Sequence, residues 1–454
     1  MNIILVIADT FRRDHLPCYG NKQIQTPNLD RFAEQSLIFE DCFASSFPTV
    51  PARADILTGR YTFTYLNWGP LTQDEITLPQ ILCENGYLTV GAADTPFLLR
   101  NGCGYDRGFD DLFWIRGQRS GPEHEDVVKL RRAEEDYFAP KTFKTAIAWL
   151  DRTHARPFFL YIDTWDPHEP WDPPIDYVRR YMPDYDGRLV EPCYWSWKEA
   201  GYNEQDLQTA HACYCGEISM VDRWFGRLLE KLEELDLVED TAVLFTSDHG
   251  FYFGEHGFFG KRRFRWPDDL SFEEGFKRGL TLNHGSIYRS PLYRELTQVP
   301  LLMKLPGHDS SRVSGLVALP DLMPTILDLA EIDTPSSIRA RSVLPLVNGS
   351  AEALREILVT STPLEELGDM TLTVDDQQRK TLELSPSTIS DGKWELLYAA
   401  EGEPVELYAQ SDLKQEHNLA AEVPEVAARL HEQFVEFLEE QDTPEESLSI
   451  RRNL

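Results

Sequence analysis

Three short apolar runs constrain the fold of this chain more than any other feature. Residues 3–7, 157–162 and 241–245 are rich in Ile, Leu, Val and Phe and show no polar residue at every second position. A strand with one solvated face would alternate, so these runs fit strands buried on both faces of a parallel sheet. Each run ends in a carboxylate: Asp9 with Thr10 behind it, Asp163, and Asp248 with His249. Open α/β sheets gather their ligands at the carboxyl ends of the strands. Asp9, Asp248 and His249 therefore offer a donor set suited to a divalent cation of borderline hardness. Local spacing equally allows capping aspartates beside a solvent-facing histidine.

Between these runs the apolar residues recur at helical spacing over 26–33, 78–86, 142–150 and 206–235. Further strands are predicted at 37–39, 87–93 and 299–304, and a charged, solvated helix or loop at 123–135. The chain thus reads as α/β over residues 1–362, with a mostly parallel sheet between helices. Residues 363–454 are expected to form a smaller C-terminal unit, with a short antiparallel sheet and a closing helix over 425–440. The polar tail after Thr443 is expected to fray.

A second feature is the stretch from Ser45 to Tyr61, SSFPTVPARADILTGRY. It reads as a loop running into a short helix, with Pro51 in the first turn and Gly59 at the end. Thr49 would then sit where backbone N–H groups and the positive end of the helix dipole converge. Arg53, one turn on, is expected to reach the same anion with its forked guanidinium. A hydroxyl, a helix start and an arginine suit attack on a phosphate or sulfate ester. An ordinary capped helix with Thr49 as a bystander has the same local pattern.

Charge limits the partners. Lys and Arg total 44 against 76 Asp and Glu, a net charge of -32. That balance argues against nucleic acid or an anionic membrane as partner, and an anionic substrate would need a local positive site. No apolar run reaches membrane-spanning length, and the first residues lack the charged region of a signal peptide. The seven cysteines are scattered without CxxC spacing, as expected of reduced thiols in a cytoplasm. None is expected to bind metal, and Cys213 and Cys215 share a helical run in which both cannot face one ion.

In chain order, TPNLDRFA (26–33), PTVPARADILTGRY (48–61), DPHEPW (166–171), TSDHGFYFGEHG (246–257), LYRELTQVPLLMKLPG (292–307) and PDLMPTILDLAEI (320–332) stand in sequence. DGKWELLY (391–398) and ELYAQSDLKQEHNLA (406–420) close it. This series resembles the sulfatase family of the alkaline phosphatase superfamily. The resemblance implies that Asp9, Asp248 and His249 hold a divalent metal (Zn, Mn, Mg or Ca) with Thr49 beside it as the nucleophile. It implies that Arg53 and His168 serve the ester. His284 or Lys261 would fill the leaving-group side, and a second cation would draw on His168, Asp163 or Asp166, and His284.

The departures are informative. Sulfatases carry Cys or Ser at the nucleophile position, oxidised to formylglycine, and Thr49 cannot yield that aldehyde. Thr10 stands where a further carboxylate is usual, and Ala92-Ala93-Asp94-Thr95 replaces a lysine–histidine sulfate grip. A sulfated formylglycine hydrate expels sulfate by collapsing to the aldehyde, whereas a sulfated threonine lacks that route. A phosphorylated threonine can be opened by water at phosphorus. The sequence therefore favours a metal-dependent phosphoesterase acting on a small anionic ester. A sulfatase without formylglycine, a transferase passing the group to another alcohol, and an inactive binding protein of the same fold remain alternatives. The basic, aromatic insertion at 262–282 covers the site, makes an oligomer contact or is a surface excursion.

Overall fold

A computed structural model describes residues 1–95, 102–117, 133–152, 156–261, 263–265, 287–289, 292–364, 386–400 and 404–454. The central sheet has eight strands: β1 (Asn2–Ala8), β2 (Leu37–Phe43), β3 (Leu88–Ala93), β4 (Asp111–Trp114), β5 (Phe158–Thr164), β6 (Thr241–Thr246), β7 (Leu301–Lys304) and β8 (Ser311–Ala318). Their order is β8-β2-β7-β6-β1-β5-β3-β4. Only β7 runs against its neighbours, pairing antiparallel with β6 and β2. The three apolar runs therefore lie side by side, with β1 between β6 and β5.

Burial on both faces explains why these runs do not alternate. Ile4 and Val6 of β1 enter one core with α1 (Pro27–Ala33), α4 (Phe138–Leu150) and the long α5 (Glu204–Glu234). Ile3, Leu5 and Ile7 enter the other, with α2 (Thr49–Thr58), α3 (Leu78–Glu84) and α6 (Leu322–Leu329). At roughly 25 cal/mol per Å² of apolar surface, one polar residue in the middle of β1 would forfeit burial on whichever face it met. The register then sets the heights of the carboxylates. Ile7 pairs with Asp163 on one side and Thr246 on the other, so Asp9 and Asp248 each stand two residues beyond that level.

A four-stranded antiparallel sheet follows: β9 (Leu358–Ser361), β10 (Ser387–Ser390), β11 (Trp394–Tyr398) and β12 (Glu406–Ala409), in that order. α7 (Pro424–Glu440) packs Leu430, Phe434 and Leu438 against it. Its first strand precedes residue 363. The tail expectation is corrected: residues after Thr443 form a further helical turn, with Leu448 buried and Arg451 only 1% exposed. Arg451 donates to the Ser447 carbonyl, and His431 meets the Arg451 carbonyl at 2.9 Å, so the tail is tied to α7. Most of 123–135 and of the insertion 262–282 lies outside the described residues. Among the described residues no helix is long and apolar enough to cross a membrane.

One buried carboxylate fixes the segment that carries Thr49. Asp55 accepts from Ser46 N (2.8 Å), Ser46 Oγ (2.7 Å), Thr62 N (2.8 Å) and Thr62 Oγ1 (2.6 Å). It thereby ties the loop before α2 to the chain after it, while Gly59 ends the helix at φ 62°. Burial pushes the Asp55 carboxyl up to about 7, against those hydrogen bonds. Asp55→Ala leaves four donors without their acceptor and should cost about 2–4 kcal/mol in chemical denaturation. The folded chain keeps a proton on Asp55 that the unfolded chain releases nearer 3.8. The contribution should therefore be full in acid below that value and decline as pH rises through about 7, so the gap to Asp55→Ala narrows upward.

Candidate active site

The strand ends, the start of α2 and two loops converge on one buried polar cluster. Asp9, Asp248 and His249 are fully buried, and one donor atom from each lies within 4.8 Å of the others. The segment after β6 turns sharply because Gly250 N–H donates to Leu296 O at 2.9 Å. A Cβ at Gly250 would fall 1.8 Å from the Glu295 carbonyl oxygen, so no larger residue fits after His249. The His249 ring is oriented by its own backbone: Nδ1 lies 2.9 Å from the Gly250 carbonyl oxygen. A carbonyl only accepts, so Nδ1 carries the proton and Nε2 presents its lone pair. That lone pair faces Thr49 Oγ1 at 3.2 Å and Asp248 Oδ2 at 3.5 Å.

Arg53 is the counter-ion of the cluster. Its Nε and Nη2 hold Asp163 in a fork at 2.8 and 2.7 Å. Nη1 meets Asp248 Oδ2 at 2.6 Å, Asp9 Oδ2 at 3.0 Å and the Thr49 carbonyl at 3.1 Å. The expectation that Arg53 reaches an anion at the helix start is thereby corrected, because its donors are spent on three carboxylates. Asp163 also accepts from Thr95 Oγ1 at 2.8 Å and Tyr161 OH at 2.7 Å, so it has no lone pair to spare for a cation. Asp166 accepts from Ala139 N instead. Asp163 is therefore closed to the second cation expected from the sequence.

His168 is buried and sits against Trp165 with ring centroids 4.1 Å apart. Its Nδ1 donates to the Glu169 carbonyl at 2.6 Å, so Nε2 accepts from Lys261 Nζ at 2.6 Å. Lys261, 5% exposed, thus joins the site from the segment after Gly260. His284 lies outside the described residues. Thr10, at φ 56°, turns its side chain to the Pro167 carbonyl (3.1 Å) and its N–H to Asp248 Oδ1 (2.9 Å), away from the cluster's open donors.

Electrostatics follow from this crowding. Burial, then the Asp248 charge beside it, pushes the Asp9 carboxyl well above its usual range, with Arg53 and Lys261 opposing. Burial pushes Asp248 up, but the positive charges of Arg53 and Lys261 help to hold it low. Burial lowers His249 to about 3 and, with Lys261 next, holds His168 well below the ordinary range, so both rings are neutral at pH 7.

Asp9 is the test of whether a metal fits. Neither of its carboxylate oxygens accepts a hydrogen bond among the described residues, although both are buried. A buried carboxylate whose ion-pair partner, Arg53 Nη1 at 3.0 Å, is shared with Asp248, and which stands beside an imidazole lone pair, is undercompensated unless a further cation joins them. The residues present therefore fit a divalent ion held by Asp9, Asp248 and His249.

A doubly covered parallel sheet whose strand ends carry this cluster, facing a hydroxyl at a helix start, defines an ester hydrolase of the alkaline phosphatase type. The chain belongs to the Sulfatase family, whose model matches residues 1–332, and residues 283–437 match the model of the N-sulphoglucosamine sulphohydrolase C-terminal region. An N-acetylglucosamine-6-O-sulfatase of Bacteroides thetaiotaomicron is 25% identical over 435 residues, covering 77% of this chain and 71% of its own. Human iduronate 2-sulfatase is 29% identical over 397 residues, covering 74% and 70%. Among solved structures, the phosphonate monoester hydrolase of Agrobacterium radiobacter superposes with a TM-score of 0.75 at 20% identity, over 97% of this chain and 96% of that one.

Asp9→Asn separates a cation ligand from a structural carboxylate. Without metal the variant should be at least as stable as the parent, because it removes a charge crowded against Asp248. In calorimetric titration with Mn²⁺ or Zn²⁺ it should bind one equivalent fewer. Unchanged stoichiometry would show that Asp9 is not a ligand.

Proposed function

We propose that this sulfatase-family hydrolase cleaves phosphorus esters, phosphonate or phosphate, with Thr49 as an unmodified nucleophile and a divalent cation on Asp9, Asp248 and His249. The observation that carries the reading is the Thr49 hydroxyl, 3.2 Å from the bare Nε2 of His249 at the first position of α2. When bound, the cation would supply the positive charge that lowers the pKa of that hydroxyl.

Thr49 Oγ1 would then attack phosphorus in line, its proton passing to solvent; the O–P bond forms as the bond to the leaving oxygen breaks, and that oxygen takes a proton from Lys261 Nζ. The first N–H groups of α2 have no partners within the helix and suit the non-bridging oxygens. Arg53 acts one layer back: it offsets the carboxylates that Thr49 must approach and holds the Thr49 carbonyl. Lys261 is the ammonium positioned for the departing oxygen, and His168, neutral and locked by the Glu169 carbonyl, aims it. Water then attacks phosphorus and releases Thr49. In a chain of charge -32, Lys261 and the helix start form the local positive site an anionic ester needs. All seven cysteines are free, which supports a reducing, cytoplasmic setting.

The relatives named as sulfatases favour a second reading, in which the same residues cleave sulfate esters without formylglycine. A panel on metal-loaded protein decides between them: an aryl phosphonate monoester, a phosphodiester, a phosphate monoester and an aryl sulfate. A phosphorus ester should turn over fastest, and Thr49→Ala should lose roughly 10³-fold or more in kcat. Rapidly quenched parent should carry a phosphoryl group on Thr49 in peptide mass spectra. Faster sulfate turnover would overturn the phosphoesterase reading, and turnover that survives Thr49→Ala would remove Thr49 from the chemistry.

A further inference from the structure

A second cluster of metal-ligating side chains lies where the segment after β1 meets α5. His15 Nε2 faces His211 Nε2 at 2.8 Å, and Cys215 Sγ lies 3.8 Å from the same His211 nitrogen. One donor atom from each of the three falls within 4.8 Å of the others. His211 and Cys215 are one helical turn apart on α5, so both side chains leave the same face, whereas His15 arrives from a distant part of the chain. The sequence gives no reason to expect a cysteine ligand, yet the fold brings Cys215 to two histidines.

The surroundings prepare His15 as a ligand. Its Nδ1 lies 2.8 Å from Asp14 Oδ1. A carboxylate only accepts, so the proton sits on Nδ1 and Nε2 is left with its lone pair. Asp14 is fixed in turn by Arg12, whose Nε and Nη2 hold both of its oxygens at 2.8 and 2.6 Å. A carboxylate that orients a histidine whose far nitrogen faces other donors is the support a ligating imidazole ordinarily receives. Tyr214, between the two helical ligands, donates to the Thr10 carbonyl at 2.7 Å and accepts from Arg12 N at 2.9 Å. The segment carrying His15 is therefore already docked on α5. His15 and Cys215 are buried and His211 is partly exposed, which leaves one side open to an entering ion.

We propose that His15, His211 and Cys215 form a second metal site, distinct from the Asp9 cluster, that takes a thiophilic divalent ion of the zinc type. Two imidazoles and a thiolate select such an ion over Mg²⁺ or Ca²⁺. Binding forms bonds to His15 Nε2, His211 Nε2 and Cys215 Sγ. The Cys215 thiol releases its proton to solvent, and the proton that His211 shares with His15 moves to His211 Nδ1. Burial holds the Cys215 thiol above its usual range, and burial with His15 beside it lowers His211 to about 3. The site closes the segment that follows Asp9 onto α5 without entering the chemistry.

Sulfur distinguishes this site from the first, whose donors are oxygen and nitrogen. The metal-free full-length protein is titrated with Co²⁺ and read by near-ultraviolet absorption. A saturable thiolate-to-cobalt charge-transfer band is expected in the parent and in Cys213→Ser, and its loss in Cys215→Ser. X-ray absorption at the zinc edge of the zinc-loaded parent needs no variant and should show sulfur at about 2.3 Å. A parent without the band, a band that survives Cys215→Ser, or a zinc shell of oxygen and nitrogen alone would leave only a hydrogen-bonded His–His–Cys chain and overturn the proposal.

Discussion

The guanidinium of Arg53 is the contact on which the rest of this architecture depends. Three parallel strands end side by side, and the register forces their terminal carboxylates into one fully buried space. Such a group cannot be buried unpaired, because desolvation alone costs several kcal/mol per charge. α2 answers by placing Arg53 among Asp9, Asp163 and Asp248, with four donor contacts to them. Asp163 is thereby neutralised and saturated. Asp9 and Asp248 share what remains of the arginine and stay net negative, with Asp9 accepting no hydrogen bond among the described residues. An incompletely compensated carboxylate pair beside a lone-pair nitrogen is how a fold stores affinity for a dication.

The same economy shapes the substrate side. A strongly acidic chain repels an anionic ester everywhere except where positive charge is concentrated, and Arg53 is already committed. Among the described residues Lys261 is a further buried positive group at the site, held by a histidine whose own proton is committed to a backbone carbonyl. Division of labour between a structural arginine and a functional lysine is consistent with their chemistry: the planar fork suits bidentate carboxylates, the ammonium a single oxygen.

Much of this was legible in the sequence because it is local. Continuous apolar runs ending in aspartate announced buried parallel strands, and Pro51 and Gly59 announced the helix that bears Thr49. Helical spacing foretold α5 and α7 to within two residues. What failed was long-range. Nothing near Arg53 in the chain indicates that Asp163, more than a hundred residues away, would claim its fork. The antiparallel sense of β7 has no signature in a four-residue apolar strand. The tail after Thr443 reads as polar, yet Arg451 is buried by hydrogen bonds to backbone oxygens that composition cannot reveal. The one local trace of the His15 cluster is the one-turn spacing of His211 and Cys215; its third member is visible only once the chain has folded.

These constraints bear on the proposal that threonine serves at the start of α2. The helix is clamped at both ends by buried carboxylates: Asp55 ties its flanking loops together, and Arg53 ties its first turn to the strand ends. Thr49 is 1% exposed within that clamp, and a β-branched side chain has few rotamers to lose. Its hydroxyl is thus held toward His249 by sterics, with little entropy left to remove on substrate binding. An aldehyde hydrate needs a site that lets sulfate leave from carbon. A fixed secondary hydroxyl needs only a central atom that a second nucleophile can attack, and phosphorus accepts such attack. The geometry of the clamp and the chemistry of the residue it holds are the two grounds on which the proposed phosphorus-ester reading rests.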